Sequence, residues 1–297
     1  LPVAGLWRNT AAMKLAEIAY ARPDTIDEAI ALLAAGRGTA RAIAGGQSLM
    51  PLLAFRMSAP KLLVDIGRLP GLSEIEVGED GVSIGALVRW RDIEKSILLK
   101  RAQPLLVEAM GHVAHYQIRN RGTVGGSLAH ADPAAELPGI AVTCDARIRV
   151  AGPTGERVVA AEDFFLGALT TDLAEDELIV SLILPPWPVG RRWAFEEFSR
   201  RRGDFALAGV AVFFDVDAQG RCVGPHAGAI GVGPVPSRLS AVEQCLAGRV
   251  IDDEVIARAA EAAGRCVDPP DDIHAPAAYR RALLATLTER ALIRAGA

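Results

Sequence analysis

The sequence predicts an α+β protein, because strand-like and helix-like segments mix without a regular βαβ rhythm and a Pro-rich stretch separates two regions of different pattern. Of its 297 residues 51% are hydrophobic and 23% charged, the composition of a chain that buries a core rather than staying disordered. Such a length suffices for two or three compact units.

The first organised segment is Pro23 to Gly36. Thr25 and Glu28 make a capping box, Ile26, Ala29, Ile30 and Leu33 supply a helical apolar stripe, and Gly36 is a natural stop. Arg41 to Ala44 is short and apolar enough for a buried strand and runs directly into Gly45-Gly46-Gln47-Ser48. Leu49 to Met57 follows as an apolar segment, with Pro51 suited to the first turn of a helix, and Lys61 to Ile66 reads as another strand. Alternation on both sides of Glu79-Asp80-Gly81 predicts a hairpin from Ser73 to Ala86. Leu105 to His115 reads as a helix, and Gln117 to Ser127 as a polar, glycine-rich connection. Asp132 and Pro133 are placed to start a further helix, with Asp132 at its cap. Ala146 to Ala160 is a hairpin turning at Gly152-Pro153-Thr154-Gly155, and Glu177 to Leu184 is an apolar strand stopped by Pro185-Pro186.

The stretch Pro185-Pro186-Trp187-Pro188 is the expected domain boundary. Beyond it lie three strand-like runs, Trp193 to Arg200, Ala206 to Asp215 and Arg221 to Val232, and from Leu239 the pattern is helical, ending in the amphipathic Ala277 to Ile293. The expected division is 13–187, with parts at about 13–67 and 68–187, and then 188–297. Residues 1–12 are expected to be a tag remnant or a disordered extension.

With 32 basic against 36 acidic residues the formal charge is −4, which argues against nucleic acid as the main partner. Arg200-Arg201-Arg202 is too short to change this and reads as a solvated strand end or a subunit contact. No apolar run reaches the roughly 18 to 20 residues that span a bilayer, and Leu1 to Ala12 makes a poor signal peptide, so a cytoplasmic location is expected. Cys144, Cys222, Cys245 and Cys266 form no CxxC pair, so iron–sulfur and structural zinc spacings are absent and buried thiols are expected. His112 and His115, three apart on the expected helix, read as helix-surface or core residues rather than a metal site. No acid–base pair or nucleophile suggests itself, so no catalytic residue is assigned.

The informative feature is a pair of glycine segments, Ala44 to Ser48 and Thr123 to Ser127, each with adjacent glycines closely followed by a hydroxyl side chain. Glycine permits positive φ and lets an anion approach the main chain, and consecutive amides in such turns form anion-binding nests. Ser48, Thr123 and Ser127 add hydroxyl donors, so two such segments facing each other can hold a diphosphate without a lysine. Neither is a P-loop or a GxGxxG fingerprint. Tight structural turns remain the alternative.

Three ordered motifs carry a resemblance. Ala44-Gly45-Gly46-Gln47-Ser48-Leu49-Met50-Pro51, then Ile118 to Ser127 followed by Asp132-Pro133-Ala134-Ala135-Glu136-Leu137-Pro138, and then Arg202-Gly203-Asp204-Phe205-Ala206 resemble the FAD-binding medium subunit of the xanthine dehydrogenase and carbon monoxide dehydrogenase (molybdenum hydroxylase) family. The resemblance implies an FAD-binding fold of the vanillyl-alcohol oxidase type, made of two α+β subdomains over 13–187. It also implies a C-terminal α+β domain with a small antiparallel sheet and helices. It places Ile43, Ala44, Gly45, Gly46, Gln47, Ser48 and Leu49, with Thr123, Val124, Gly125, Gly126 and Ser127, around the pyrophosphate of non-covalent FAD. It puts Glu136 at the ribityl region, with Asp132 as a second contact that helix capping explains equally well. Ile179 becomes an apolar neighbour of the flavin, and Phe205 lies at a face of the isoalloxazine ring unless it packs in the core. The chain departs from the pattern at Phe205, where some relatives have tyrosine, at Gln47, where histidine or threonine is frequent, and around Glu196 and Glu197, where a lysine is frequent.

In this family the flavoprotein takes electrons from a small [2Fe–2S] subunit and passes them to NAD, a quinone or oxygen. A large subunit holds the molybdenum cofactor and oxidises the primary substrate. The resemblance thus implies an electron-transfer subunit of a heterotrimer or a dimer of heterotrimers, with molybdenum and iron–sulfur groups only in the partners. A stand-alone FAD oxidase and a non-enzymatic nucleotide-binding module that reuses the two segments are the alternatives.

Overall fold

Three short parallel strands open the fold in a computed structural model that describes residues 15–296; the expectation for residues 1–12 lies outside the described residues. Strands β1 (Ala19–Ala21), β2 (Ala40–Ile43) and β3 (Leu62–Asp65) alternate with helices α1 (Ile26–Gly36) and α2 (Leu49–Ala54), giving a parallel sheet in the order β1-β3-β2. A local βαβ rhythm is therefore present in this unit within an α+β chain, and the sequence does not signal it because β1 has only three residues, two of them exposed. In α1 the Thr25 hydroxyl accepts from the Glu28 amide at 3.2 Å, while the Glu28 carboxylate accepts from the Asp24 amide at 2.9 Å, one residue before the usual capping-box partner. The helix stops one residue beyond Gly36, with Arg37 at φ 42. Helix α2 ends at Ala54, short of Met57, because Arg56 turns to φ 58 and the Met57 amide bonds back to the Leu52 carbonyl at 2.8 Å, a Schellman closure.

A second sheet is antiparallel throughout. Its strands are β4 (Ile75–Gly78), β5 (Gly81–Gly85), β6 (Arg147–Gly152), β7 (Gly155–Ala160) and, after a small hairpin of β8 (Phe165–Gly167) and β9 (Thr170–Thr171), β10 (Leu178–Leu184). They are ordered β4-β5-β10-β6-β7. Between β5 and β6 run six helices, α3 (Trp90–Lys95), α4 (Ile97–Ala102), α5 (Pro104–Met110), α6 (Tyr116–Arg119), α7 (Val124–His130) and α8 (Glu136–Thr143), and α9 (Ala161–Phe164) follows β7. Ile84, Leu105, Leu106, Met110, Leu128, Ile140 and Leu182 lie fully buried in their shared core. Three expectations are corrected. The helix expected to reach His115 ends at Met110, and Ala114 turns to φ 41, so His112 and His115 share no helical face. The connection expected up to Ser127 contains α6 and the first turn of α7, capped by Thr123. Asp132 caps no helix; its carboxylate closes a turn onto the Ala134 amide at 2.9 Å, and α8 starts only at Glu136.

The third sheet is also antiparallel, in the order β11-β12-β13-β14, with β11 (Arg192–Phe198), β12 (Ala208–Val216), β13 (Cys222–Ile230) and β14 (Ser237–Arg238). Helices α10 (Ser240–Leu246), α11 (Asp253–Arg265) and α12 (Ala277–Gly296) follow. The period-two alternation of strands divides the sheet's residues between two cores. Ala194, Val210, Val212 and Ala229 pack with Leu284 and Leu292 of α12, whereas Phe195, Ala211, Phe213 and Ile230 join the core of the second sheet. The fold is thus α+β with antiparallel sheets, and the third sheet is buried on both faces.

The Pro-rich stretch is tied down rather than loose. Trp187 packs on Phe213 at 5.2 Å, the Arg191 guanidinium lies 4.8 Å from the Phe213 ring, and His226 stacks on its side at 4.4 Å while contacting Asp145 at 2.7 Å. All four cysteines are free; Cys144 and Cys222 are buried as expected, but Cys266 is exposed and Cys245 partly so, because both sit at the outer side of α10 and α11. No helix among the described residues is long and apolar enough to cross a membrane.

Arg280 holds the third sheet to the chain that crosses its end. Only 5% exposed, it donates to the Leu207 carbonyl at 2.6 Å, the Gly231 carbonyl at 2.8 Å and the Asp272 carboxylate at 2.7 Å. Arg280→Met leaves two carbonyls without donors, and is expected to lower unfolding free energy by about 3 kcal/mol in urea titration. A loss below about 1 kcal/mol means that water replaces the guanidinium.

Candidate functional site

The first glycine segment leaves the carboxyl end of β2, the side of a parallel sheet on which ligands bind. The Ile43 carbonyl is fixed by the Ile66 amide at 3.0 Å, and Gly46 turns the chain at φ +72. Among the described residues no protein acceptor takes the amides of Gly45, Gly46, Gln47 and Ser48. The Gln47 side chain folds back onto the Gly45 carbonyl at 2.9 Å, and the Ser48 hydroxyl makes no capping bond. Ile43, Ala44 and Leu49 flank the turn half-buried. The result is a concave run of free donors suited to an anion.

The second segment is built differently. The amides of Val124, Gly125, Gly126 and Ser127 are used within the protein, by the carbonyls of Val88 (3.0 Å) and Ala86 (2.8 Å), the Thr123 hydroxyl (3.2 Å) and the Thr123 carbonyl (3.0 Å). Gly125 is glycine because a Cβ there would stand 2.7 Å from the Ala86 Cβ. This segment therefore offers the Ser127 hydroxyl rather than a second nest. The two segments do meet: a Cβ on Gly45 would overlap the Arg121 carbonyl oxygen, and Arg121 Nε donates to the Gly45 carbonyl at 3.3 Å. Arg121 brings an exposed positive charge to that junction, a role that its place two residues before Thr123 does not signal in the linear pattern.

The remaining expected residues divide. Phe205 is 69% exposed, which excludes core packing and leaves its ring open to a ligand. Ala206 and Leu207 border Gly231, whose amide donates to the Pro133 carbonyl at 2.9 Å, so Phe205 and the stretch from Asp132 to Glu136 converge. Ile179 is buried in the main core. It shares that core with Val124 and Leu128 of α7, and the neighbouring main chain is tied in where the Ala86 amide bonds to the Val180 carbonyl at 2.9 Å.

A pair of carboxyls at this convergence has no counterpart in the linear pattern. Burial, with Asp132 adding repulsion, pushes Glu136 up to about 7. Burial and then the charge of Glu136 push Glu197 up to about 8. Glu197 Oε2 is buried without a hydrogen-bond partner. Glu196 points to the opposite face, where it accepts from Arg294 at 3.0 Å. His112 lies edge-on to Phe195 at 5.1 Å, with burial holding its imidazole below the ordinary range. No group of three His, Cys, Asp or Glu residues among those described is arranged to hold a metal ion. An open groove of about 420 Å³ lined by Lys100, Pro104, Val107, Glu108 and Trp193 shares no residue with the glycine segments and lacks their free donors. The arrangement can thus hold a diphosphate beside an exposed aromatic ring and neutral acids, and it supplies no nucleophile.

Comparison with known proteins agrees with this geometry. Residues 14–187 match the family described as FAD binding domain in molybdopterin dehydrogenase, and 193–295 match the CO dehydrogenase flavoprotein C-terminal domain. The chain is 41% identical over 283 residues to the 6-hydroxypseudooxynicotine dehydrogenase complex subunit alpha of Paenarthrobacter nicotinovorans, covering 95% of this chain and 96% of that relative. Among solved structures, carbon monoxide dehydrogenase from Hydrogenophaga pseudoflava superposes with TM-score 0.92 at 35% identity, covering 95% and 98% of the two chains. Quinoline 2-oxidoreductase from Pseudomonas putida 86 gives 0.91 at 37%, covering 96% and 98%.

Two outcomes test the site. Gly45→Ala forces the first segment away from Arg121 and is expected to lower stability by about 1–3 kcal/mol in chemical denaturation, whereas a silent substitution means that the segments are not in contact. For Glu197 the folded carboxyl sits at about 8 against an ordinary 4.5. Its contribution to stability is complete below about pH 4.5 and is lost as pH rises through about 8. The melting temperature of Glu197→Gln should therefore gain on the wild type across that window, by about 2–4 °C for each kcal/mol, and a constant difference contradicts the burial of a proton there.

Proposed function

The chain belongs to the FAD-binding medium subunits of the xanthine and carbon monoxide dehydrogenase family, and from that premise we propose that it accepts electrons from a [2Fe–2S] subunit and delivers them through FAD to an external acceptor. The observation that carries the FAD part is the run of free amides from Gly45 to Ser48, held in contact with the segment before Thr123. Those amides and the Ser48 and Ser127 hydroxyls take the diphosphate, and Arg121 offsets its charge. Ile43, Ala44, Gln47 and Leu49 shape the near wall, while Thr123, Val124, Gly125 and Gly126 fix the far one, Val124 and Gly125 by their bonds to the segment following β5 and Thr123 by capping Gly126. Phe205 covers one face of the flavin ring, Glu136 and Asp132 lie toward the ribityl chain, and Ile179 supports the floor from within the core. Bound FAD supplies the capacity to take up and release electrons, and the protein supplies binding, orientation and electrostatics.

On the same reading a large molybdopterin subunit oxidises the primary substrate. The named relatives act, by their names, on compounds as different as 6-hydroxypseudooxynicotine, carbon monoxide and quinoline, while this chain is similarly alike to each. Substrate choice on this reading belongs to the partner. The acceptor is NAD, a quinone or oxygen, and the assembly is a heterotrimer or a pair of heterotrimers. We place the FAD-binding domain at 13–187, in parts of about 13–67 and 68–187, and a C-terminal flavoprotein domain at 188–297, acting in the cytoplasm.

The purified chain should show a flavin absorbance spectrum and release FAD on denaturation. Ser48→Ala and Arg121→Ala should each raise the FAD dissociation constant about 5- to 30-fold, equivalent to about 1–2 kcal/mol. Colourless protein that takes up no FAD on reconstitution overturns the reading.

A further inference from the structure

Glu136 opens α8, and Gly139 follows three residues later on the same helical face. That face lies on the third sheet, since a Cβ on Gly139 would overlap Ile230. Ile230 in turn stands against Gly209, where a Cβ would be 2.9 Å from Ile230 Cγ1 and 3.5 Å from Glu197 Cγ. Gly209 is the cross-strand partner of Glu197 on β11. One isoleucine thus joins the helix bearing Glu136 to the strand bearing Glu197, filling the space that two glycines leave between them.

The charged groups that face the pair add no cation. Asp132, on the connection before α8, adds repulsion to Glu136, while β12 and β13 bring only Gly209 and Ile230. Three basic side chains of adjoining elements are engaged elsewhere: Arg280 with Leu207, Gly231 and Asp272, Arg294 with Glu108 and Glu196, and Arg200 with His274. Two carboxyls buried together without a cation retain a proton, because ionising both leaves like charges in a poorly solvated place. A carboxyl that keeps its proton becomes a donor; Glu197 Oε2 is closed to solvent and has no partner among the described residues, so it is the half-buried Glu136 that can turn a donor outward.

We propose that Glu136 and Glu197 act as one proton-holding pair that presents a neutral carboxylic acid, as hydrogen-bond donor, to an acceptor atom of the bound flavin; the proposal rests on the FAD reading above. Glu136 meets the segment bearing Phe205 through Pro133 and Gly231, so the pair and the exposed ring border the same space. Flavin affinity then depends on the pair's proton. Losing it replaces a donor with a carboxylate facing an acceptor, a repulsive contact.

The test is the FAD dissociation constant of the full chain, stripped of flavin, between about pH 6 and about pH 9.5. In the wild type it should stay level to about pH 7 and rise by up to about tenfold per pH unit above about pH 8. Glu136→Gln, which keeps a neutral donor at every pH, should give a level profile. Glu197→Gln leaves Glu136 to titrate alone and should move the rise down toward about pH 7, so it keeps the test decisive if the first variant fails to fold. Infrared spectra of the flavin-free wild type should show a protonated carboxyl at neutral pH that weakens in Glu197→Gln. A level wild-type profile with FAD bound, an unmoved rise in Glu197→Gln, or no protonated carboxyl overturns the pair and leaves the FAD reading standing. No FAD binding at any pH overturns that reading and the proposal with it.

Discussion

The site depends on a main-chain contact that only glycine permits. Gly45 lies directly on the Arg121 carbonyl, and Gly125 lies on Ala86 of the segment following β5. A methyl group at Gly45 forces the segment after β2 away from the connection before α7, and one at Gly125 forces α7 away from the segment after β5, since neither neighbour is the end of a flexible side chain. Because the contacts are backbone to backbone, they fix directions as well as distances. The amides after β2 stay without a partner among the described residues, and those of α7 turn inward to bond with Val88 and Ala86. One glycine pair therefore makes a nest and the other a joint, although the two look alike in sequence.

The third sheet completes the site from the other side. Its alternating residues serve two cores at once, so it cannot shift without disturbing either Leu284 and Leu292 or the core that contains Ile140. Arg280 then clamps the carbonyls of Leu207 and Gly231, which flank the segment carrying Phe205 and the turn that meets Pro133. An exposed aromatic side chain is thereby carried on a rigid base, the condition for holding a flat ligand without first ordering a loop.

How much of this was legible follows from the range over which each signal acts. The Thr25 cap, the hairpins at Glu79-Asp80 and Pro153-Thr154, and the three long strands after Pro188 are encoded by neighbours within a few residues, and they stand as expected. The two glycine segments were legible as a pair, but their different hydrogen bonding was not, because the acceptors at Ala86 and Val88 are supplied by a distant element. Strand β1 was missed since three residues carry no period, and the extra helix turns expected at His115 and Asp132 lost to left-handed residues and a local side-chain turn. Glu197 registered only as a missing lysine. Its meeting with Glu136 is a tertiary fact that passes through Gly139, Ile230 and Gly209.

These placements sort charge along the site. At the Gly45 end stand free amides, hydroxyls and the Arg121 guanidinium, a set that favours negative charge and penalises a neutral occupant through unpaired donors. At the Phe205 end stand an aromatic face and two carboxyls, with no cation paired to either acid. A ligand whose diphosphate is joined by a chain to a flat, uncharged ring system satisfies both ends in only one register. Sliding it toward Phe205 would bring the phosphates against the acids and leave the amides unpaired. Specificity for register thus comes from repulsion as much as attraction, and it requires that the acids be held where no arginine can neutralise them. The engagement of Arg280 with the two carbonyls and of Arg294 on the far face of β11 keeps them so.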